Sequence, residues 1–324
     1  MARFGRDGLR YGTGAVRDGM IRRLLEVLDD VSRADLRATM LLRTRDGRHM
    51  LETALADALE LGPGAKLGRY EVIEKLGRGS MGVVYRAADP ELGRVVALKV
   101  MRARGGASDR LLGEAQALAQ VRHPNVVMVH DVGRVGDDVF VAMELVEGLT
   151  LSAWCRAEKR TRDQILEVFL AAGRGLAATH DKKLVQRDFK PDNVIVGEDG
   201  RVCLVDFGLA RFDSEQDELE TGTSHASLRS ITGVFGTPAY MAPEQFAQTT
   251  VDARTDQFSF CVALWEALYG QPPFHGHTFE ALADAVMAGA IVSPPSRSEV
   301  PARLHEALRR GLSTRPDDRF PAMT

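Results

Sequence analysis

Cysteine is scarce in this chain. Among 324 residues only Cys155, Cys203 and Cys261 occur, far apart and without the paired spacing of a metal site. A disulfide framework is thereby excluded, and the three thiols are expected to act as small buried hydrophobes in a reducing compartment. An excess of positive charge is also lacking. Against 42 Lys and Arg stand 45 Asp and Glu, a net charge of −3. Affinity for a phosphate backbone depends on clustered cations, so nucleic acid is not expected as a partner. No run approaches the roughly 18 to 20 apolar residues of a membrane span, the N-terminus has no apolar centre of a secretory leader, and no internal repeat is visible. A cytoplasmic chain is the expectation. Apolar residues make up 44% of the sequence, enough at this length for a substantial core in one large or two smaller domains.

What is present centres on Leu184 to Gly208, LVQRDFKPDNVIVGEDGRVCLVDFG. Asp188, Asn193 and Asp206 stand there between short β-branched runs, a pattern that displays oxygen ligands at the edge of a sheet. Such a display suits metal-bound phosphate. Phosphoryl transfer asks little covalent chemistry of a protein, but it needs carboxylates to hold magnesium and one to orient the attacking hydroxyl.

Taken in order, residues 1–19 are rich in Gly, Arg and Asp without an apolar period and read as a disordered lead-in. Helical spacing follows at Leu24, Leu25 and Leu28 and again at Leu51, Leu55 and Leu59, giving a small helical extension over 20–66. It is expected to pack on the next domain, on a copy of itself or on a docking partner. Gly62-Pro63-Gly64 marks a boundary, and 67–324 form the main domain. Short strands come next: YEVIEKLG, GVVYRAAD and VVALKVM. Between the first two lies Gly77-Arg78-Gly79-Ser80-Met81-Gly82. This G-x-G-x-x-G pattern is also used by dinucleotide folds, where it opens a helix. Here Val83, Val84 and Tyr85 favour a strand, so the loop reads as a hairpin tip able to close over phosphates. Lys99 sits in the apolar strand VALKV and needs an anionic partner. A helix from about Ser108 to Val121 offers Glu114 for that role. Strands VVMVHDVGR and DVFVAMELV follow, then a buried-looking helix with Ile165, Phe169, Leu170 and Leu176 that ends near His180. A strand-first half followed by a helix-first half predicts two lobes and an α+β fold. After the central stretch, 213–220 are acidic and 221–232 rich in Ser and Thr, a composition suited to a modifiable loop.

With the glycine loop, Lys99, Glu114, VQRDFKPDN, VDFG and GTPAYMAPE in one order, the chain resembles the protein kinase family over roughly Leu67 to Phe320. The phrases ARTDQFSFCVALWEALYGQPPF and MAPEQF look most like bacterial kinases of the eukaryotic Ser/Thr type. The resemblance implies a bilobal kinase fold and an ATP- and Mg2+-dependent enzyme acting on protein Ser/Thr hydroxyls. In those terms Gly77, Gly79 and Gly82 cover the ATP phosphates, and Lys99 holds the α- and β-phosphates while pairing with Glu114. Asp206 and Asn193 hold magnesium, Asp188 orients the substrate hydroxyl, and Lys190 contacts the transferred phosphate. Val84 and Ala97 flank adenine, Met143 guards the back of the pocket, and Glu144 and Val146 offer backbone bonds to the base. Lys190 and Thr237 point to Ser/Thr as acceptor. Arg187 implies regulation by an activation-loop phosphate at Thr232, with Ser230 and Ser227 as further candidates. Glu244 is expected to pair with Arg319, and Asp256 to bond backbone near Arg187.

The chain departs from the family's pattern in two places. Gln186 stands where a histidine usually precedes Arg-Asp, which implies an altered stability of the active arrangement. The sequence also stops at Pro321-Ala322-Met323-Thr324, about where a final helix would begin, and so reads as truncated. A pseudokinase or scaffold, and a small-molecule phosphotransferase, stay open as competing readings.

Overall fold

The computed structural model describes residues 60–79, 82–101, 108–135, 138–207, 238–295 and 300–323. The lead-in, most of the helical extension, and Ser227, Ser230, Thr232 and Thr237 lie outside the described residues. The chain divides into two compact units: residues up to Arg78 with Val83–Leu98, and Gly79–Gly82 with everything from Lys99 onward.

The first unit is built on strands in the lateral order β1 (Lys66–Leu67), β2 (Tyr70–Gly79), β3 (Gly82–Asp89) and β4 (Arg94–Met101). Antiparallel pairing of β1 and β2 sets Leu67 opposite Tyr70. Tyr70, Val72, Tyr85 and Ala87 are buried, the period-2 alternation that a half-covered sheet imposes, whereas β4 is buried continuously from Val96 to Lys99. Asp89, fully buried, is held by Arg69 Nε at 3.2 Å and Arg94 Nε at 3.4 Å. A buried carboxylate is tolerated when cations meet it in this way. Strand β4 starts in this unit and ends in the other at Lys99-Val100-Met101.

The second unit carries α1 (Ser108–Leu118), the antiparallel hairpin of β5 (Val129–Val135) and β6 (Asp138–Glu144), and a three-stranded sheet in the order β7 (Gly148–Thr150), β8 (Val194–Gly197), β9 (Val202–Leu204). Helices α2 (Leu151–Ala157) and α3 (Arg162–His180) precede β8. α3 opens on a capping box, in which Thr161 and Gln164 exchange side-chain and backbone bonds at 2.9 and 3.2 Å. Its buried stripe is Ile165, Val168, Phe169, Ala172 and Leu176. Leu170, expected inside, is 59% exposed, because one step of a helix turns it about 100° from Phe169 and off that stripe. Gly175 brings α3 against the segment before β5, where an added Cβ would lie 2.5 Å from the Asn125 carbonyl oxygen. That segment is tied to β9 by Asn125 Nδ2 donating to the Val202 carbonyl at 2.7 Å and Val127 N donating to the Leu204 carbonyl at 2.9 Å.

Among the described residues after Phe207 the α-helices are α4 (Pro243–Phe246), α5 (Ala253–Tyr269), α6 (Phe279–Met287) and α7 (Ala302–Gly311). α5 is buried nearly all round, with Phe258, Val262, Ala263 and Trp265 closed to solvent. It begins at the Asp252 cap and stops at Gly270, whose φ of 70° is the left-handed end that glycine adopts without strain. The expected pair of Glu244 and Arg319 is present, with two bonds of 2.7 and 2.8 Å. Cys203 and Cys261 are buried, Cys155 half-buried, and none is bonded to another. Burial pushes the Cys203 thiol up to about 11 and the Cys261 thiol up to about 12. Both stay protonated as small core residues. No helix of the described residues is long and apolar enough to cross a membrane.

Candidate active site

The three polar residues of the central stretch converge because the chain turns twice between them. Residues Pro191–Asn193 form a single 3-10 turn, started by a proline whose missing N–H costs nothing there. β8 and β9 then return the chain to Asp206. Within the turn Asn193 is 6% exposed and its amide nitrogen donates to the Asp188 carbonyl at 2.8 Å and to Asp188 Oδ2 at 3.2 Å. Lys190 Nζ donates to the same Oδ2 at 2.8 Å. One carboxylate oxygen of Asp188 is therefore oriented from two sides. The Asn193 carbonyl in turn accepts from Val205 N at 3.1 Å, which joins the turn to the residue before Asp206.

The backbone ahead of Asp188 is held just as closely. Asp256, fully buried on α5, accepts Gln186 N at 2.8 Å and Arg187 N at 2.7 Å, and meets His180 Nε2 at 2.8 Å. Arg187 has φ +62°, a conformation that costs a side-chain-bearing residue about 1–3 kcal/mol and persists only where the surroundings impose it. The Asp256 carboxylate supplies that imposition from the N–H side.

Lys99 is 4% exposed, and its ammonium pairs with Asp206. The buried lysine has the anion it requires, but a different one from that expected. Glu114 on α1 faces Arg110, one turn back on its own helix, with Nε and Oε1 3.7 Å apart. The lysine's flexible four-carbon stem carries its ammonium to Asp206, two residues past β9. The expected Lys99–Glu114 pair is not among the ion pairs of the described residues, where Lys99 meets Asp206 and Glu114 meets Arg110. Gln186 is also engaged with Asp206. Fully buried, it donates Nε2 to the Asp206 carbonyl at 2.8 Å, while Oε1 is buried with no hydrogen-bond partner among the described residues. Gln186→Leu should therefore change unfolding free energy by no more than about 1 kcal/mol, because losing the bond to Asp206 is offset by removing an unpaired buried oxygen. Urea denaturation checks this, and a loss above about 3 kcal/mol would contradict it.

The remaining expected residues are distributed as follows. Gly77, Val84 and Ala97 lie in the first unit; Gly79, Gly82, Met143, Glu144 and Val146 lie in the second with the carboxylates. Gly82 has φ +148°, and a Cβ there would fall 2.1 Å from the Val100 carbonyl oxygen, so that position demands glycine. A Cβ added at Gly77 or Gly79 would meet nothing within 4 Å. Met143 is 7% exposed at the end of β6. Glu144 N donates to the Met128 carbonyl at 2.9 Å, and its carboxylate takes a forked ion pair from Arg201, one arm at 3.3 Å. That fork was not foreseen; it clamps the end of β6 to the β8–β9 turn across 57 positions of sequence. The hydrogen bond to Glu144, with its charge, raises the Arg201 guanidinium further above its already basic value.

Asp206 and Asn193 supply hard oxygen donors, and no group of three or more His, Cys, Asp or Glu among the described residues is placed to hold a metal unaided. Magnesium fits such a set, since it is held by one or two carboxylates together with substrate phosphates rather than by an all-protein cage. With its nitrogen committed to Asp188, Asn193 has only its amide oxygen to offer a cation.

Comparison with known proteins places this geometry. A protein kinase domain model matches residues 70–324. Serine/threonine-protein kinase pkn2 of Myxococcus xanthus is 38% identical over 216 residues, covering 64% of this chain and 25% of that protein. Serine/threonine-protein kinase PknL of Mycobacterium bovis is 34% identical over 284 residues, covering 84% of this chain and 65% of that protein. The chain thus spans between a quarter and about two thirds of these curated relatives. Among solved structures, the Mycobacterium tuberculosis PknI kinase domain is 26% identical, covers 82% of this chain and 96% of that one, and superposes with a TM-score of 0.61.

Proposed function

Because this chain belongs to the protein kinase family, we propose that it is an ATP- and magnesium-dependent protein serine/threonine kinase, moving the γ-phosphoryl group of ATP to Ser or Thr hydroxyls of protein substrates. The observation that carries this reading is the convergence, within one compact unit, of Asp188, Lys190 and Asn193 in one hydrogen-bonded cluster and of Lys99 with Asp206.

Asp188 Oδ2 is aimed by Lys190 and Asn193, which orients the carboxylate that accepts the proton of a substrate hydroxyl and turns its lone pair toward phosphorus. Lys190, 2.8 Å from that carboxylate, is placed to neutralise charge on the phosphoryl group in flight. Lys99 takes the α- and β-phosphates by exchanging its ion pair with Asp206 for the nucleotide's oxygens. Asp206 and Asn193 would hold magnesium when it is bound, and the ion would supply cationic charge against the charge of the phosphates. Within the second unit Gly79 and Gly82 are the candidates to cover them, and Met143, Glu144 and Val146 to receive the base. Glu114 enters this scheme as a second carboxylate for Lys99 once Asp206 is engaged elsewhere. Arg187 as the receiver of a phosphate on Thr232 or Ser230 gives the reading its regulatory arm. Three free thiols and ATP as donor suit work inside the cell.

The test is transfer of label from γ-labelled ATP with magnesium, read by phosphoamino-acid analysis of the protein and of an added protein acceptor. Phosphoserine or phosphothreonine that disappears with EDTA is expected. Phosphotyrosine would overturn the acceptor class; nucleotide binding without transfer would favour a scaffold. Phosphopeptide mapping that finds label only away from Thr232 and Ser230 would remove the regulatory arm.

A further inference from the structure

The strained backbone of Arg187 is held on its N–H side by Asp256, but the bond that follows it belongs to a different element. Gln245, the third residue of α4, donates Nε2 to the Arg187 carbonyl at 2.9 Å. The same side chain accepts Ala242 N through Oε1 at 3.0 Å. One amide therefore performs two tasks: its oxygen closes the first turn of α4, and its nitrogen holds the peptide that joins Arg187 to Asp188. We propose that Gln245 is a positioning residue for phosphoryl transfer, fixing through the Arg187 carbonyl the orientation of the Asp188 peptide. The inference rests on Asp188 acting as the residue that receives the hydroxyl proton.

The geometry favours Gln245 over its neighbours for this role. A residue at φ +62° is prone to relax by rotating the peptides on either side of it. Asp256 binds the N–H groups of Gln186 and Arg187 and so restrains the peptides before Arg187. The peptide after it, whose nitrogen is that of Asp188, is restrained by the bond to its carbonyl oxygen. Released, that peptide turns about the Arg187 ψ and Asp188 φ axes and carries the carboxylate with it. A misplacement of about 1 Å at a reacting group costs about a hundredfold in rate. Gln245 also sits on the chain emerging from the Ser/Thr-rich segment, next to Glu244, which is anchored to Arg319. The position of Asp188 is thereby linked to the seating of α4.

Three substitutions separate positioning from scaffolding. Gln245→Glu keeps an oxygen for Ala242 N but cannot donate to the Arg187 carbonyl while ionised. Gln245→Met keeps the shape and loses both bonds, and Gln245→Ala loses shape as well. Steady-state kinetics and melting temperature are measured for each, beside Asp188→Asn. At pH 8, Gln245→Glu should melt close to wild type, yet lose about tenfold to a hundredfold in kcat with little change in KM for ATP. Gln245→Met should lose kcat to the same extent while melting lower. Wild-type kcat in Gln245→Glu, or kcat losses that simply follow melting temperature across the three, would overturn the proposal. If Asp188→Asn is dead while Gln245→Glu is fully active, only the positioning role fails; if Asp188→Asn is itself active, the catalytic reading beneath it fails.

Discussion

Replacement of Arg319 by methionine is expected to remove about 3–5 kcal/mol of unfolding free energy, the usual cost of breaking a buried ion pair on one side. The guanidinium is closed to solvent and Glu244 nearly so. Nη1 and Nη2 bond the two carboxylate oxygens at 2.7 and 2.8 Å, and the remaining N–H groups reach the carbonyls of Ser313, Arg254 and Thr314 at 2.9, 2.9 and 3.2 Å. Thr255 Oγ1 completes Glu244 at 2.8 Å, and the guanidinium stacks over Phe258. Methionine fills the volume but leaves a buried carboxylate without its cation and three carbonyls without donors. Urea denaturation at pH 7 measures the loss; a change below about 1 kcal/mol would show that the pair carries no such weight. The double replacement with Glu244→Gln should recover part of it, because the stranded charge is then gone.

The same pair has a pH signature with a definite sign. Burial alone pushes the Glu244 carboxyl up, but the hydrogen bonds and charge of Arg319, the local backbone and Thr255 outweigh it and hold the group below its ordinary value. A folded value depressed in this way means that the stabilisation is complete above the unfolded carboxyl pKa of about 4.3 and is lost as pH falls through the folded value. Wild type should therefore approach the Arg319→Met variant in stability below about pH 4. The two unfolding curves would otherwise run parallel through the acid range.

Much of this arrangement was legible in the residues, and the rest fails for identifiable reasons. Strand and helix periods locate β2 to β6 and the later helices because burial repeats every 2 or 3.6 positions. The motifs recovered Glu244 with Arg319 and Asp256 beneath Gln186 and Arg187, since those bonds recur with the fold itself. The partner of Lys99 was misplaced. Burial of a lysine in VALKV states that an anion is needed, but residue type alone does not say which of the chain's carboxylates answers it. Gln245 was passed over because its importance depends on the positive φ of Arg187, which an arginine does not announce. Arg201 in a Gly-Arg turn reads as a solvated cation; only the return of the β8–β9 turn to the end of β6 gives it Glu144. Leu170 shows the opposite error, an apolar residue placed inside although it falls one position off the stripe.

Asp188→Asn and Asp206→Asn are each expected to lower kcat by about 10²–10⁴-fold, the range contributed by a positioned proton acceptor or a comparable electrostatic group. The two losses should nevertheless look different. Asparagine at 188 still accepts from Lys190 and Asn193, so the fold keeps its bonds and only proton acceptance is lost; melting temperature and nucleotide affinity should hold. Asparagine at 206 withdraws the charge that faces Lys99, a side chain with 4% exposure. A buried ammonium without its anion is costly, so the nucleotide-free protein should melt lower. Half-maximal activity should also require more magnesium, because a neutral amide is a poorer ligand for a hard cation. Combining both should fall little below the worse single change, as is usual for groups that serve one step. A magnesium titration with each variant, beside thermal unfolding without nucleotide, separates these outcomes. Unchanged magnesium dependence in Asp206→Asn would remove that carboxylate from the metal, and full activity in Asp188→Asn would send the search for the proton acceptor elsewhere.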